Sequence, residues 1–146
     1  MLIAVLNGPN LNLVGTREPE IYGRTAFADV ERLIRREAAE LGVDVDWMQT
    51  NHEGELVEAV QRLAGRADGA VVNAAAFTHT SLALRDAFLA VRVPFVECHL
   101  SNLFARNEPD RHRSLLGDLA LGVVTGFGAQ SYPLALRALV GRLRAA

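Results

Sequence analysis

The chain has 146 residues, half of them hydrophobic, with a formal net charge of −2 and a mean hydropathy of +0.14. At 15.8 kDa area scaling gives about 7,300 Å² folded against about 23,000 Å² unfolded, which suits one domain over residues 1–146 and excludes intrinsic disorder. The near-neutral charge argues against a nucleic-acid or anionic-membrane partner, the lone Cys98 excludes an intrachain disulfide, and fifteen arginines with no lysine exclude a lysine Schiff base or a phosphate-loop lysine.

In chain order, Leu2–Leu6 is an apolar run that predicts a buried strand ending in a Gly/Pro/Asn loop. Thr25 is placed to cap a helix whose apolar face includes Val30, Leu33, Ile34 and Leu41 and which Gly42 ends. Val43–Met48 alternates, as expected of a strand near a sheet edge. A second helix follows over 53–64, a strand over Ala70–Asn73, a helix over Thr80–Val91 and a strand over Pro94–Cys98. Gly122–Thr125 and Tyr132–Leu143 complete the pattern with a fifth strand and a last helix.

Strands alternating with helices at this spacing predict an α/β protein, a flavodoxin-like three-layer sandwich with five parallel strands in the order 2-1-3-4-5. Ligands of such sheets bind beyond the carboxyl ends of the strands. The opening run lacks a basic n-region and no apolar run approaches the roughly 20 residues of a membrane span. These features predict a soluble, cytoplasmic protein.

Three strand-end segments carry the specialised residues. Residues 7–23 form a long first loop with an ordered start and an expected mobile lid around Gly15–Gly23. Residues 73–81 hold Asn73 and His79, with Thr78, Thr80 or Ser81 available as a cap. The third segment is Glu97-Cys98-His99-Leu100-Ser101-Asn102. Residues two apart on a strand share a face, so Glu97 is set to orient His99 as a general acid while Cys98 points the other way as inert core. A zinc site from His79, His99 and Glu97 is the alternative, but their separations match no local metal pattern. Gly126-Phe-Gly128 lacks the third glycine of a dinucleotide fingerprint and predicts a tight turn. Arg106–Arg113 is charge-balanced and suits an anion-binding or lid segment.

The motifs Asn7-Gly-Pro-Asn-Leu-Asn-Leu13, Arg17-Glu-Pro19, Tyr22-Gly23, Gln49-Thr-Asn-His-Glu-Gly-Glu-Leu56, Asn73, Thr78-His-Thr-Ser81, Leu84-Arg-Asp-Ala87, Glu97-x-His-Leu-Ser-Asn102 and Gly122–Gly128 with Tyr132 resemble type II 3-dehydroquinate dehydratase over about residues 1–133. The resemblance implies loss of water from 3-dehydroquinate in the shikimate pathway, through an enolate, with no cofactor, metal or Schiff base, in a homododecamer of four trimers. It implies Tyr22 as base with Arg17 beside it, His99 as acid oriented by Glu97, and Asn10 at the developing enolate oxygen. Asn73, His79, Leu100, Ser101, Arg106 and Arg111 fall on substrate-binding positions, and Asp86 on a carboxylate that reaches a neighbouring subunit.

The sequence departs from the family pattern after Arg106, where Asn107–Arg113 is one residue longer and lacks a Phe. Either Arg111 or Arg113 takes the second arginine's place, with Arg111 preferred. Residues 73–77 also lack the usual Gly and Tyr. Two other readings compete: a flavin- or nucleotide-binding module, which would want a first loop richer in Ser, Thr and Gly, and a catalytically silent assembly protein, which gives no reason for Arg17, Tyr22, Glu97 and His99 to coexist.

Overall fold

Apolar side chains alternating along the three central strands give this chain two separate cores, one on each face of a single sheet. The computed structural model describes residues 1–16, 20 and 25–146. Its strands are β1 (Leu2–Asn7), β2 (Asp44–Gln49), β3 (Gly69–Asn73), β4 (Phe95–His99) and β5 (Gly122–Thr125). All pair in parallel, in the order β2-β1-β3-β4-β5.

On one face Ile3, Val5, Val71, Val96 and Cys98 meet α1 (Phe27–Leu41) and α5 (Ser131–Ala145) through Val30, Ile34, Leu136 and Leu139. On the other, Ala4, Leu6, Ala70, Val72 and Phe95 meet α2 (Glu53–Gln61) and α4 (Leu82–Val91) through Leu56, Val60, Leu84 and Phe88. Consecutive strand residues thus feed opposite cores, as the two-residue period requires. Each fully buried Ile, Leu or Val contributes about 1.5–3 kcal/mol by leaving water. The expected fold class and strand order are those of the structure.

Local chemistry explains where the elements end. Helix α1 begins at Ala26, whose N–H is accepted by the Asp29 carboxylate; Thr25 is not its cap. Its C-cap Gly42 takes a left-handed φ of 67°, a conformation that costs glycine little. The helix expected over Thr80–Val91 starts two residues later, at Leu82, and a separate short turn precedes it. A four-residue turn, α3 (Phe77–Thr80), stops at Ser81, which is extended and caps α4 by accepting the Leu84 N–H at 2.9 Å. Strand β2 is partly exposed along its length, as an edge position dictates. Among the described residues, no helix is long and apolar enough to cross a membrane.

Candidate active site

The carboxyl ends of β1, β3 and β4 deliver three loops to one cleft. Its walls come from the first loop (Pro9, Asn10, Leu11, Val14), the loop after β3 (Asn73, Ala75, Ala76, His79), and the end of β4 with the segment beyond it (His99, Leu100, Ser101, Leu103, Arg106, Arg111). The first two loops come close because residue 8 is glycine: a Cβ there would lie 2.3 Å from the Ala74 carbonyl oxygen. The Gly8 N–H instead donates to Asn73 O at 2.8 Å.

Two non-glycine residues on the cleft wall have left-handed backbones, Asn10 (φ 67°) and Ala75 (φ 50°). Such conformations persist where surrounding contacts hold them. Here the Asn10 N–H donates to Asn51 Oδ1 at 2.9 Å, and the Ala75 N–H to Asn73 Oδ1 at 3.2 Å. Asn51 is itself fixed by Gln49, whose Nε2 donates to both Asn51 Oδ1 (3.0 Å) and Gly8 O (3.1 Å).

Glu97 and His99 share a face of β4, as their spacing requires. The His99 Nε2 lies 2.5 Å from Glu97 Oε1, and the Glu97 carboxylate has no solvent exposure. Its second oxygen accepts from Ser114 Oγ at 2.8 Å. The direction of that bond is fixed, because Ser114 Oγ already accepts the N–H groups of Leu116 (3.0 Å) and Gly117 (2.9 Å) and so must donate its own proton. As a carboxylate, Glu97 accepts at both oxygens, and His99 then meets it with an Nε2–H. Nδ1 is therefore the ring nitrogen left for a ligand. A buried carboxylate needs compensating partners, and His99 Nε2 at 2.5 Å and the Ser114 hydroxyl at 2.8 Å supply them.

His79 is held differently. Its Nδ1 donates to Arg113 O at 2.7 Å. Burial lowers its pKa from the ordinary 6.5 against the raising effect of that carbonyl, and the nearby charges of His99 and Arg111 lower it further. A neutral His79 with Nδ1–H leaves Nε2 as an acceptor. Cys98 points into the core, and burial followed by the Glu97 charge raises its thiol far above the range of a nucleophile.

The segment after β4 folds back over the cleft. His112 Nε2 donates to Arg106 O at 2.6 Å, the Leu115 N–H to Thr78 O at 2.9 Å, and Pro109 opens a single turn through Arg111. Arg106 Nη1 stands 3.5 Å from Ser101 Oγ, and Arg111 pairs with Glu108 at 3.7 Å. Thr125 Oγ1 donates to Ser101 O at 2.8 Å and pins the start of this segment. Arg111 lines the cleft and Arg113 does not; the Arg113 carbonyl instead accepts from His79. Two arginines beside two histidines suit an anionic ligand.

Of the residues singled out from the sequence, Asn10, Asn73, His79, His99, Leu100, Ser101, Arg106 and Arg111 line this cleft, with Glu97 behind His99. Asp86 does not; it is exposed on α4. Arg17 and Tyr22 lie outside the described residues, as does most of the expected lid. The zinc alternative has no counterpart: among the described residues no group of three or more His, Cys, Asp or Glu is set to hold a metal ion. Sequence reasoning missed Ser114, whose bond to Glu97 spans 17 residues with no spacing signal. It also missed Asn51, though the motif Gln49–Leu56 had marked the segment.

The fold and the cleft define a flavodoxin-like α/β protein with a buried carboxylate–imidazole pair at its strand ends. Residues 1–140 match the family model described as dehydroquinase class II. A 3-dehydroquinate dehydratase of Jannaschia sp. (strain CCS1) is 54% identical over 144 residues, 99% of this chain and 97% of the relative. The crystal structure of a type II dehydroquinase from Butyrivibrio crossotus superposes with a TM-score of 0.91 at 36% identity, covering 95% of this chain and 97% of that one. That of the type II dehydroquinase from Propionibacterium acnes gives 0.89 at 38% identity, with 96% of each chain covered. The chain belongs to the class II dehydroquinases, a family of enzymes.

Proposed function

We propose that this enzyme removes water from 3-dehydroquinate to give 3-dehydroshikimate, the shikimate-pathway step, by acid–base elimination through an enolate. Tyr22 takes the C2 proton, and the electron pair moves onto the ketone oxygen. The enolate then expels the hydroxyl on the neighbouring carbon, which leaves as water with a proton from His99. The C2 proton and the hydroxyl are together the water lost, so no oxidant or reductant is needed.

An unperturbed phenol is mostly neutral at pH 7 and a weak base; a guanidinium beside it favours the phenolate, which is the role proposed for Arg17. Asn10 meets the developing enolate charge, directly or through a water. Asn73, His79, Leu100, Ser101, Arg106 and Arg111 hold the substrate's carboxylate and hydroxyls. Asp86, standing off its own chain's cleft, acts on a neighbouring subunit within a cytosolic homododecamer built of four trimers. No metal has a part in this scheme, and the sequence offers no lysine for an imine.

The observation that carries this reading is the buried Glu97–His99 pair, with Nε2 committed and Nδ1 left at a cleft lined by two arginines. The test is to follow the conjugated enone by absorbance as purified protein meets 3-dehydroquinate, with and without borohydride and chelator. Enone formation that resists both supports the proposal. Inactivation by borohydride in the presence of substrate, or zinc-restored activity after chelation, contradicts it.

A further inference from the structure

We propose that Tyr132, on α5 and outside the cleft, is a positioning residue that fixes which way the Asn73 amide faces and so makes Asn73 a hydrogen-bond donor to the substrate. This rests on the reading of Asn73 as a substrate contact. Tyr132 and Asn7 have no solvent exposure and Asn73 is 3% exposed, so every polar atom among them needs a partner.

Fixed backbone groups at both ends set the polarity of the network. At one end Asn7 Nδ2 lies 2.9 Å from the Met48 carbonyl, which can only accept, so Asn7 Oδ1 faces the tyrosine. Tyr132 therefore donates its one proton to Asn7 Oδ1, at 2.7 Å, and accepts from Asn73 Nδ2 at 2.9 Å. At the other end the Ala75 N–H, which can only donate, lies 3.2 Å from Asn73 Oδ1. The two ends assign the Asn73 amide independently and agree. One Nδ2 hydrogen then remains for the cleft that Asn73 lines.

The tyrosine is well placed to hold this arrangement. Its ring packs against Trp47 with centroids 5.7 Å apart, and Trp47 against Phe27 at 5.0 Å. Burial raises the phenol well above its ordinary 10, so it remains a protonated donor at neutral pH. Removing the hydroxyl would leave the Ala75 N–H, at 3.2 Å, as the one described group holding the amide against rotation, and the fraction of amide that turns presents Oδ1 to substrate oxygens, a repulsive contact.

The test is a double-mutant cycle on kcat and KM with 3-dehydroquinate, using Tyr132→Phe and Asn73→Ala. Tyr132→Phe should raise KM about tenfold with kcat changed far less, because a contact made equally in ground and transition states acts on KM. In the Asn73→Ala background the same change should add nothing to KM. Equal, additive effects in both backgrounds would mean that Tyr132 only stiffens the core, and would overturn the inference. An unchanged KM in Asn73→Ala alone would instead remove Asn73 from the substrate contacts, a failure of the underlying reading. Should Tyr132→Phe not fold, Asn7→Ala takes its place: it deprives the hydroxyl of its acceptor and should also raise KM, only while Asn73 is present. An Asn7→Ala enzyme with wild-type KM would overturn the inference.

Discussion

Replacing Glu97 with Gln leaves the size of the side chain unchanged and removes its charge. The outcome follows from the fixed proton positions around it. If the oxygen of the introduced amide stays on His99 Nε2–H, its NH₂ group faces Ser114 Oγ, whose proton is directed at it because Leu116 and Gly117 occupy the lone pairs. Two donors then face each other in a fully buried site. If the amide turns, its NH₂ faces His99 Nε2, and the ring must move its proton to Nδ1. Either way His99 loses the carboxylate that orients its ring. A hydrogen bond to a charged group is worth about 1.5–3 kcal/mol against about 1 for a neutral one, and a buried unsatisfied donor costs about 1–3 kcal/mol. The combined loss of about 1.5–5 kcal/mol corresponds to a fall in kcat of about 10- to 5,000-fold. Steady-state kinetics on protein whose circular dichroism matches the wild type would read it. A Glu97→Gln enzyme with kcat within about threefold of wild type would refute the reasoning.

Tyr22→Phe removes the proposed proton acceptor and should lower turnover by about two or more orders of magnitude while substrate still binds, with Arg17→Lys also strongly impaired; kinetics with a parallel binding measurement checks both. The pKa of His79 is lowered from 6.5 by burial, so below that pH the unfolded chain binds more protons than the folded one. The stability that this gives is complete above pH 6.5 and is lost as the pH falls through the folded value; His79→Gln should flatten a plot of Tm against pH in that window. Asp86 stands on α4 away from its own cleft, so mixing inactive Asp86→Ala and His99→Ala subunits should restore part of the activity. No restoration in re-formed oligomers would confine Asp86 to its own chain.

Much of the fold could be read from the sequence because its determinants are local. The apolar runs at Leu2–Leu6 and Ala70–Asn73 announced buried strands, and the alternation in Val43–Met48 placed β2 at an edge. The break at Ser81 was less legible, since Thr78, Thr80 and Ser81 are equivalent caps by residue type; only the extended backbone of Ser81 selects among them. Thr25 failed as a cap because Asp29 satisfies the helix end from inside the first turn. In the site, the Glu97–His99 pair followed from strand alternation alone. The groups that fix its proton positions did not, because Ser114 reaches Glu97 through a loop whose path no periodicity encodes. The same holds for Tyr132, 59 residues from Asn73 and 125 from Asn7 in the chain.

In the proposed reaction a base and a separate acid act in sequence through an enolate. Proton exchange at C2 of 3-dehydroquinate in deuterated water separates the two steps. With His99→Ala, which retains the proposed base, NMR should show deuterium entering C2 while enone formation is slowed by about two or more orders of magnitude. With Tyr22→Phe both exchange and elimination should be lost. Exchange that persists in Tyr22→Phe, or that disappears together with elimination in His99→Ala, would contradict the account.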